Sequence, residues 1–217
     1  MKSRKILKRL LKQNRGMVGI EAAIVLIAFV IVAAAFSLMV VNMGLFSTQR
    51  GRETIQEAIE EASSPLVMDG SIFARANSSG DGVDALVVPL KTLGTRQISM
   101  GQNSTEISLR IENHTAYADV YFGINTDENP LNTTLDDLVT AVGSTHTKCQ
   151  LFIGRSDGDS SLDYGEKGYL TMYIGSGDQA VEREHIYIEI RPEKGAPMSI
   201  EFIVPPQLTP GWLNIGG

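Results

Sequence analysis

The chain has 217 residues, 43% of them hydrophobic, with 25 acidic and 19 basic residues, a formal charge of −6 and one cysteine. That length holds a leader, one long helix and one globular domain of about 150 residues; the lone Cys149 excludes an intrachain disulfide and reads as a small buried hydrophobe. Seven of the basic residues fall within the first sixteen; without them 12 basic residues face 25 acidic ones, a charge of −13 that argues against nucleic acid as a partner and suits a solvated exterior surface.

The chain opens on MKSRKILKRLLKQNRG, with Lys2, Arg4, Lys5, Lys8, Arg9, Lys12 and Arg15 and no acid. A cationic block beside an apolar run stays on the cytoplasmic side of a membrane. The next stretch, 17–41, reads MVGIEAAIVLIAFVIVAAAFSLMVV. Glu21 is its one charge, and from 22 to 41 only Ser37 is polar. Twenty helical residues at ~1.5 Å each reach ~30 Å, the thickness of a bilayer's hydrocarbon core. An ordinary secretory signal is cut after its apolar region, at a small-x-small site. Here small residues are spread through the run, and Arg15-Gly16 stands before it. That order predicts a cut between Gly16 and Met17 that leaves the apolar helix on the mature chain.

The helix is expected over 17–64, with Pro65 stopping it. Gly44 and Gly51 each cost roughly 1 kcal/mol against Ala, which allows a local unwinding over 43–51. Past Gly51 the apolar residues Ile55, Ala58, Ile59 and Ala62 share one face, and Arg52, Glu53, Glu57, Glu60 and Glu61 cover the remainder. One rod is therefore apolar all round in its first half and one-sided in its second. A helix apolar on every side needs lipid or other helices around it. Outside a membrane, the replacement on offer is further copies of itself.

From Gly70 the composition changes to short β-type runs between Gly, Asn, Asp and Ser. Strands are expected at 71–76, 84–90, 106–112, 116–124, 149–154, 169–174, 185–191 and 198–204. In HIYIEIRP, Ile186, Ile188 and Ile190 point one way and Tyr187 and Glu189 the other. Such runs read as a β-sandwich or barrel over 65–217. One short helix, capped by Thr133 or Thr134, begins at Leu135. The Pro- and Gly-rich tail is read as extended, with Trp212 as a packing plug.

The segment RG-MVGIEAAIVLIAFVIVAAAF resembles the class III signal peptide and N-terminal helix of archaeal flagellins, relatives of the type IV pilins. The resemblance continues through GLFSTQRGRETIQEAIEEASSPLVMDGSI and returns in HIYIEIRPEKGAPMSIEFIVPP. Asn14 departs from it, standing where many such leaders carry a second basic residue. The resemblance implies an α+β chain: a cleaved leader (1–16), a long hydrophobic helix (17–64) and an immunoglobulin-like antiparallel β-sandwich (65–217). It also implies a prepilin-type signal peptidase acting at Arg15, Gly16 and Met17, a membrane stage before assembly, a membrane assembly machinery and a homopolymeric helical filament used for swimming. By position, Glu21 matches the pilin glutamate that pairs with a neighbouring subunit's new N-terminal amine. The reading beside it is an interfacial carboxylate at the membrane surface.

Asn77, Asn103, Asn113 and Asn132 each begin N-x-S/T, as glycan acceptors or as plain turn asparagines. The stretch RSDGDSSLDYGEKG holds Asp157, Asp159, Asp163 and Glu166. Clustered carboxylates on a Gly-containing loop suit a hard, Ca²⁺-like divalent cation. The spacing excludes an EF-hand, lacking Gly at the sixth position and placing its acid at the tenth. A solvated acidic turn is the equal alternative. Enzyme function is disfavoured: the sequence has no G-x-S-x-G, P-loop or H-E-x-x-H motif, and His114, His146 and His185 are scattered. With the resemblance, the chain is expected to be a subunit of an extracellular archaeal flagellar filament, used for swimming and secondarily for surface adhesion. An adhesive type IV-like pilin and a membrane-anchored extracellular binding domain are the alternatives.

Overall fold

The computed structural model describes residues 3–62, 65–93, 97–112, 115–143 and 145–216, the side chains of 3–18 and 60–62 excepted. The chain forms two compact units, Met1–Glu57 and Ala58–Gly217.

The described residues of the first unit all lie in one helix, α1, Ser3–Ala62. At ~1.5 Å per residue it is ~90 Å long. No proline falls in it, and it is continuous through both glycines, so the unwinding expected over 43–51 does not occur. Thr48 donates its hydroxyl to the Gly44 carbonyl (2.8 Å), and the Arg50 guanidinium lies 5.5 Å from the centre of the Phe46 ring. The expected end at Ser64 lies outside the described residues.

The second unit is a two-layer sandwich. The larger sheet contains β1 (Leu66–Met68), β2 (Ile72–Ala76), β3 (Val83–Thr92), β7 (Tyr121–Asn125), β8 (Lys148–Gly154), β10 (Lys167–Tyr173) and β13 (Gly211–Gly216). Its order is β13-β2-β3-β10-β8-β7, with β1 also paired to β3. The smaller sheet orders β12 (Met198–Ile203), β11 (His185–Pro192), β5 (Thr105–Ile111) and β6 (Ala116–Tyr117). A separate ribbon joins β4 (Gln97–Ser99) to β9 (Ser161–Asp163). The pairing is antiparallel except between β7 and β8, which run parallel, a departure from the wholly antiparallel sandwich expected. The run expected over 116–124 divides into β6 and β7. Asp119 sits between them and takes the backbone N–H groups of Ile107 and Tyr121.

One core fills the space between the sheets. Leu86, Val88, Leu151, Leu170 and Met172 of the larger sheet meet Leu109, Ile186, Ile188 and Ile190 of the smaller one. The alternation read in HIYIEIRP holds: its three isoleucines are buried, while Tyr187 and Glu189 are half-exposed. The larger sheet is also covered on its outer side, where α2 (Leu135–Val142) packs Leu138 and Val142 against Phe152. Thr134 caps α2 in a reciprocal pair: its hydroxyl accepts from the Asp137 N–H (3.3 Å), and its own N–H donates to the Asp137 carboxylate (3.0 Å). Cys149 is fully buried, and burial pushes its thiol well above the usual range, which keeps it protonated.

Pro89 breaks the rule that proline avoids central strands. Its carbonyl accepts from Asp69 N–H, so its missing N–H faces the gap where β2 pairing has ended and β1 pairing begins. The C-terminal strand pairs with β2. Trp212 is half-buried there, not a plug: its indole N–H donates to Asp136 (3.1 Å), and the Arg75 guanidinium lies 5.8 Å from the ring centre.

With its own core, the unit beginning at Ala58 is expected to survive removal of residues 1–64 as a soluble monomer. Within it, Leu151→Ala should lower unfolding free energy by about 2–5 kcal/mol in denaturant titration. Sedimentation that finds large assemblies of the truncated chain would contradict the first expectation.

Candidate functional site

The most extensive chemical feature is the surface of α1. Over Gly19–Ile59 the helix is apolar enough to cross a membrane, and its side chains there are exposed. Its large side chains stand open to the surroundings, Phe29 at 73% and Val25 at 68% exposure. Glu21 is exposed on the same helix. Arg15, Gly16 and Met17 lie within its backbone span, but their side chains are outside the described residues.

A second feature is the loop between β8 and β10. Asp157, Asp159 and Asp163 each bring one carboxylate oxygen within 4.8 Å of the others. Oxygens on opposite sides of a Ca²⁺ ion lie roughly 4.6–5.2 Å apart, so the cluster has the dimensions of a hard-cation site. Glu166 is placed differently. It is buried, and its two oxygens accept the backbone N–H groups of Asp157 (3.1 Å) and Asp163 (2.9 Å). It ties the two ends of the loop together from inside, a role that residue type and spacing do not reveal. The loop also shapes itself: Asp157 accepts from Asp159 N–H (3.2 Å) and Asp159 from Ser161 N–H (2.8 Å). Gln97 of β4 reaches across to Asp159 (3.3 Å), a contact sequence reasoning had no means to find.

The four N-x-S/T asparagines differ. Asn103 and Asn132 are exposed in turns. Asn77 is half-buried, and its side-chain amide, the atom a glycan would occupy, donates to Gln179 (2.8 Å). Asn113 lies outside the described residues, as does His114. His146 is exposed, and His185 contacts Glu201 (3.3 Å) and stacks on Tyr187.

Beside the acidic loop is a cavity of about 630 Å³ whose lining includes Asp69, Lys91, Leu93, Leu131, Arg155, Tyr164 and Lys167. Asp69 pairs with both Lys91 (2.8 Å) and Lys167 (3.0 Å). The hydrogen bond from Lys91, then that from Lys167, holds its carboxyl below the usual range.

Residues 16–202 match the family model for archaeal-type flagellin. The chain is 38% identical to probable flagellin 1 of Aeropyrum pernix over 211 residues, 95% of this chain and 100% of that one. It is 30% identical to probable flagellin 1 of Archaeoglobus fulgidus over 204 residues, 92% and 95% of the two chains. Among solved structures it resembles the archaeal flagellum of Methanospirillum hungatei strain JF1, with a TM-score of 0.56, 23% identity and coverage of 90% and 98%. It also resembles the crystal structure of flagellin FlaB1 from Methanocaldococcus jannaschii, with a TM-score of 0.57, 16% identity and coverage of 70% and 96%. At these identities the two structures speak for the fold.

The Asp69 pairing carries a pH signature. Its folded-state value lies below the unfolded one, so its contribution is complete above the ordinary carboxylate range and fades as pH falls through the folded value. The site is about one-third exposed, so Asp69→Asn should cost no more than about 1 kcal/mol at pH 7. Denaturant titrations should show that difference shrinking in acid and in high salt. An equal difference under all three conditions would contradict it.

Proposed function

The chain belongs to the archaeal-type flagellin family, and from that membership we propose how it is processed and built into the filament of an archaeal flagellum. Flagellins are structural proteins, and the subunit's role is mechanical: a homopolymer outside the cell, used as a propeller for swimming. The observation that carries the assembly route is the uncovered apolar helix over Gly19–Ile59.

Before assembly the helix spans the cytoplasmic membrane, its basic leader retained inside. A prepilin-type peptidase cuts between Gly16 and Met17. A membrane machinery then extracts the subunit and stacks its helix against other copies. Each large aliphatic side chain moved out of water contributes roughly 1.5–3 kcal/mol, on the order of tens of kcal/mol per subunit before entropic costs. In the bilayer those side chains are already away from water, so transfer from lipid to filament is close to balanced and calls for a driven machine. Cleavage places a new amine at Met17, four residues before Glu21. In our reading Glu21 accepts that amine from a neighbouring subunit and sets the stagger between helices.

On the sandwich, Asp157, Asp159 and Asp163 hold a divalent cation, with Glu166 fixing the backbone that presents them. A cation bound there supplies positive charge among three carboxylates and joins the two ends of the loop. Glycans fit best on the exposed Asn103 and Asn132.

Intact-mass measurement and peptide mapping of the secreted chain should find Met17 at the N-terminus and a glycan on Asn103 or Asn132. A mature form beginning after Ala35 would mean ordinary secretion and end this reading. Ala28→Asp or Ala34→Asp should permit cleavage but abolish filaments, because a carboxylate in a dry helical core has no partner. Normal filaments from either variant would reduce the helix to an anchor.

For the cation, millimolar Ca²⁺ should raise the melting temperature of the sandwich. Saturation at about 100 times Kd is worth about 2.7 kcal/mol, and about 1 kcal/mol shifts a domain of this size by about 2–4 °C. Asp157→Asn with Asp159→Asn should remove the shift. An unchanged shift in that variant would leave the loop as a solvated turn.

A further inference from the structure

We propose that the fold singles out one backbone position for spontaneous covalent change: the Asp157-Gly158 pair, where the aspartate converts to isoaspartate. The chemistry stands on the geometry of the loop alone. Its consequence for cation binding rests on the cation reading above.

Aspartate is followed by glycine at three places, Asp69-Gly70, Asp81-Gly82 and Asp157-Gly158. Glycine has no side chain to obstruct its own nitrogen, so that nitrogen can reach the carbonyl carbon of the preceding aspartate side chain. A C–N bond forms and one carboxyl C–O bond breaks. The departing oxygen takes the carboxyl proton and the nitrogen's proton and leaves as water. The product is a cyclic succinimide. Water then adds at either ring carbonyl. When the bond from the ring nitrogen to the former backbone carbonyl breaks, the chain runs on through the side-chain carbon. The main chain is then one atom longer, and the old backbone carbonyl has become a free carboxylate. One water has left and one has entered, so the composition is unchanged. The reaction needs a carboxyl that is not tied up and a peptide free to turn.

Two of the pairs lack these conditions. Asp69 shares its oxygens between Lys91 (2.8 Å) and Lys167 (3.0 Å), which keeps it a carboxylate, and its own N–H is held by the Pro89 carbonyl. Gly82 is buried, and its carbonyl accepts from Asn77 N–H (2.9 Å). A Cβ placed on it would stand 3.0 Å from that of Gln179, so the wall around this peptide is close. Asp81 N–H is held as well, by the Asn77 side chain (3.0 Å).

The third pair meets them. Residues 155–160 are exposed without exception and belong to no strand or helix. Nothing lies within 4 Å of the place a Gly158 Cβ would take. Gly158 N–H donates to Ser156 Oγ (3.1 Å), and the Asp157 carboxylate accepts from Asp159 N–H (3.2 Å). Both bonds are at the surface, where water replaces either partner. Isomerisation here inserts an atom beside the N–H that Glu166 holds and draws the carboxylate back onto the main chain. Asp157 then no longer reaches Asp159 and Asp163 as the cluster requires.

The test uses the purified full chain in detergent, kept warm in mildly acidic buffer with a chelator. Trypsin cuts after Arg52, Arg75, Lys91, Arg155 and Lys167, so each Asp-Gly pair falls in its own peptide. Fragmentation by electron transfer separates isoaspartate from aspartate. Isoaspartate should accumulate several-fold faster at Asp157 than at Asp69 or Asp81, and the three rates should converge in urea. Asp157→Glu, whose longer side chain closes its ring far more slowly, should clear the signal from that position. Equal rates in the folded chain, or a faster site elsewhere, would overturn the proposal. So would a preference for Asp157 that persists unchanged in urea, since local sequence would then explain it. Isomerised chain should lose the Ca²⁺-induced rise in melting temperature in proportion to its isoaspartate content, and a rise retained in full would overturn the consequence. No rise in fresh chain would remove the cation reading, with the isoaspartate map still deciding the chemistry.

Discussion

Everything in this molecule depends on one mismatch: a helix of ~90 Å that is apolar on every side from residue 22 to 41, with every side chain of that stretch exposed. A globular protein resolves such a surface by folding over it. This chain instead closes its sandwich around a separate core and leaves the helix open. The remaining environments are a lipid bilayer and a bundle of identical helices, and the same side chains suit both. The proposed route, from membrane to polymer, asks for that dual fitness. The strongly acidic sandwich, by contrast, has no place in either environment, and its charge keeps it in water.

How far the fold was legible followed from how many faces of a strand are covered. In the smaller sheet one face meets the core and the other meets solvent, so β5 and β11 alternate and can be read directly. The larger sheet has α2 on its outer side, and β3 and β8 lose their alternation because both faces are buried. Their apolar runs still announce strands but not which side faces the core. The missed elements, β1, β4, β9 and β13, are short or polar, and pairing with distant partners creates them. β13 shows why: GWLNIG has no strong pattern of its own, and β2 supplies its ladder.

At the candidate sites, residue type was legible and role was not. Four carboxylates within ten positions flagged the loop. Only the folded backbone separates three convergent aspartates from the glutamate that fastens the loop. The same holds for the N-x-S/T asparagines, where Gln179, 102 residues away in sequence, occupies the amide of Asn77. The cavity beside the loop was invisible in sequence for a related reason. It assembles residues from segments far apart along the chain, and no local spacing encodes it.

Burial of apolar surface is strong but non-directional. A helix that is apolar all round gains nearly the same free energy whichever side it turns toward a neighbour and wherever it slides along the axis. A filament of defined geometry therefore needs its register from directional groups, and α1 offers few of them between residues 22 and 41. Glu21 at one end of that stretch is one such group. The charged groups on the sandwich surface are another. On this argument the helix supplies the attraction that holds subunits together, while the polar groups at its end and on the sandwich select one arrangement among many of similar hydrophobic energy.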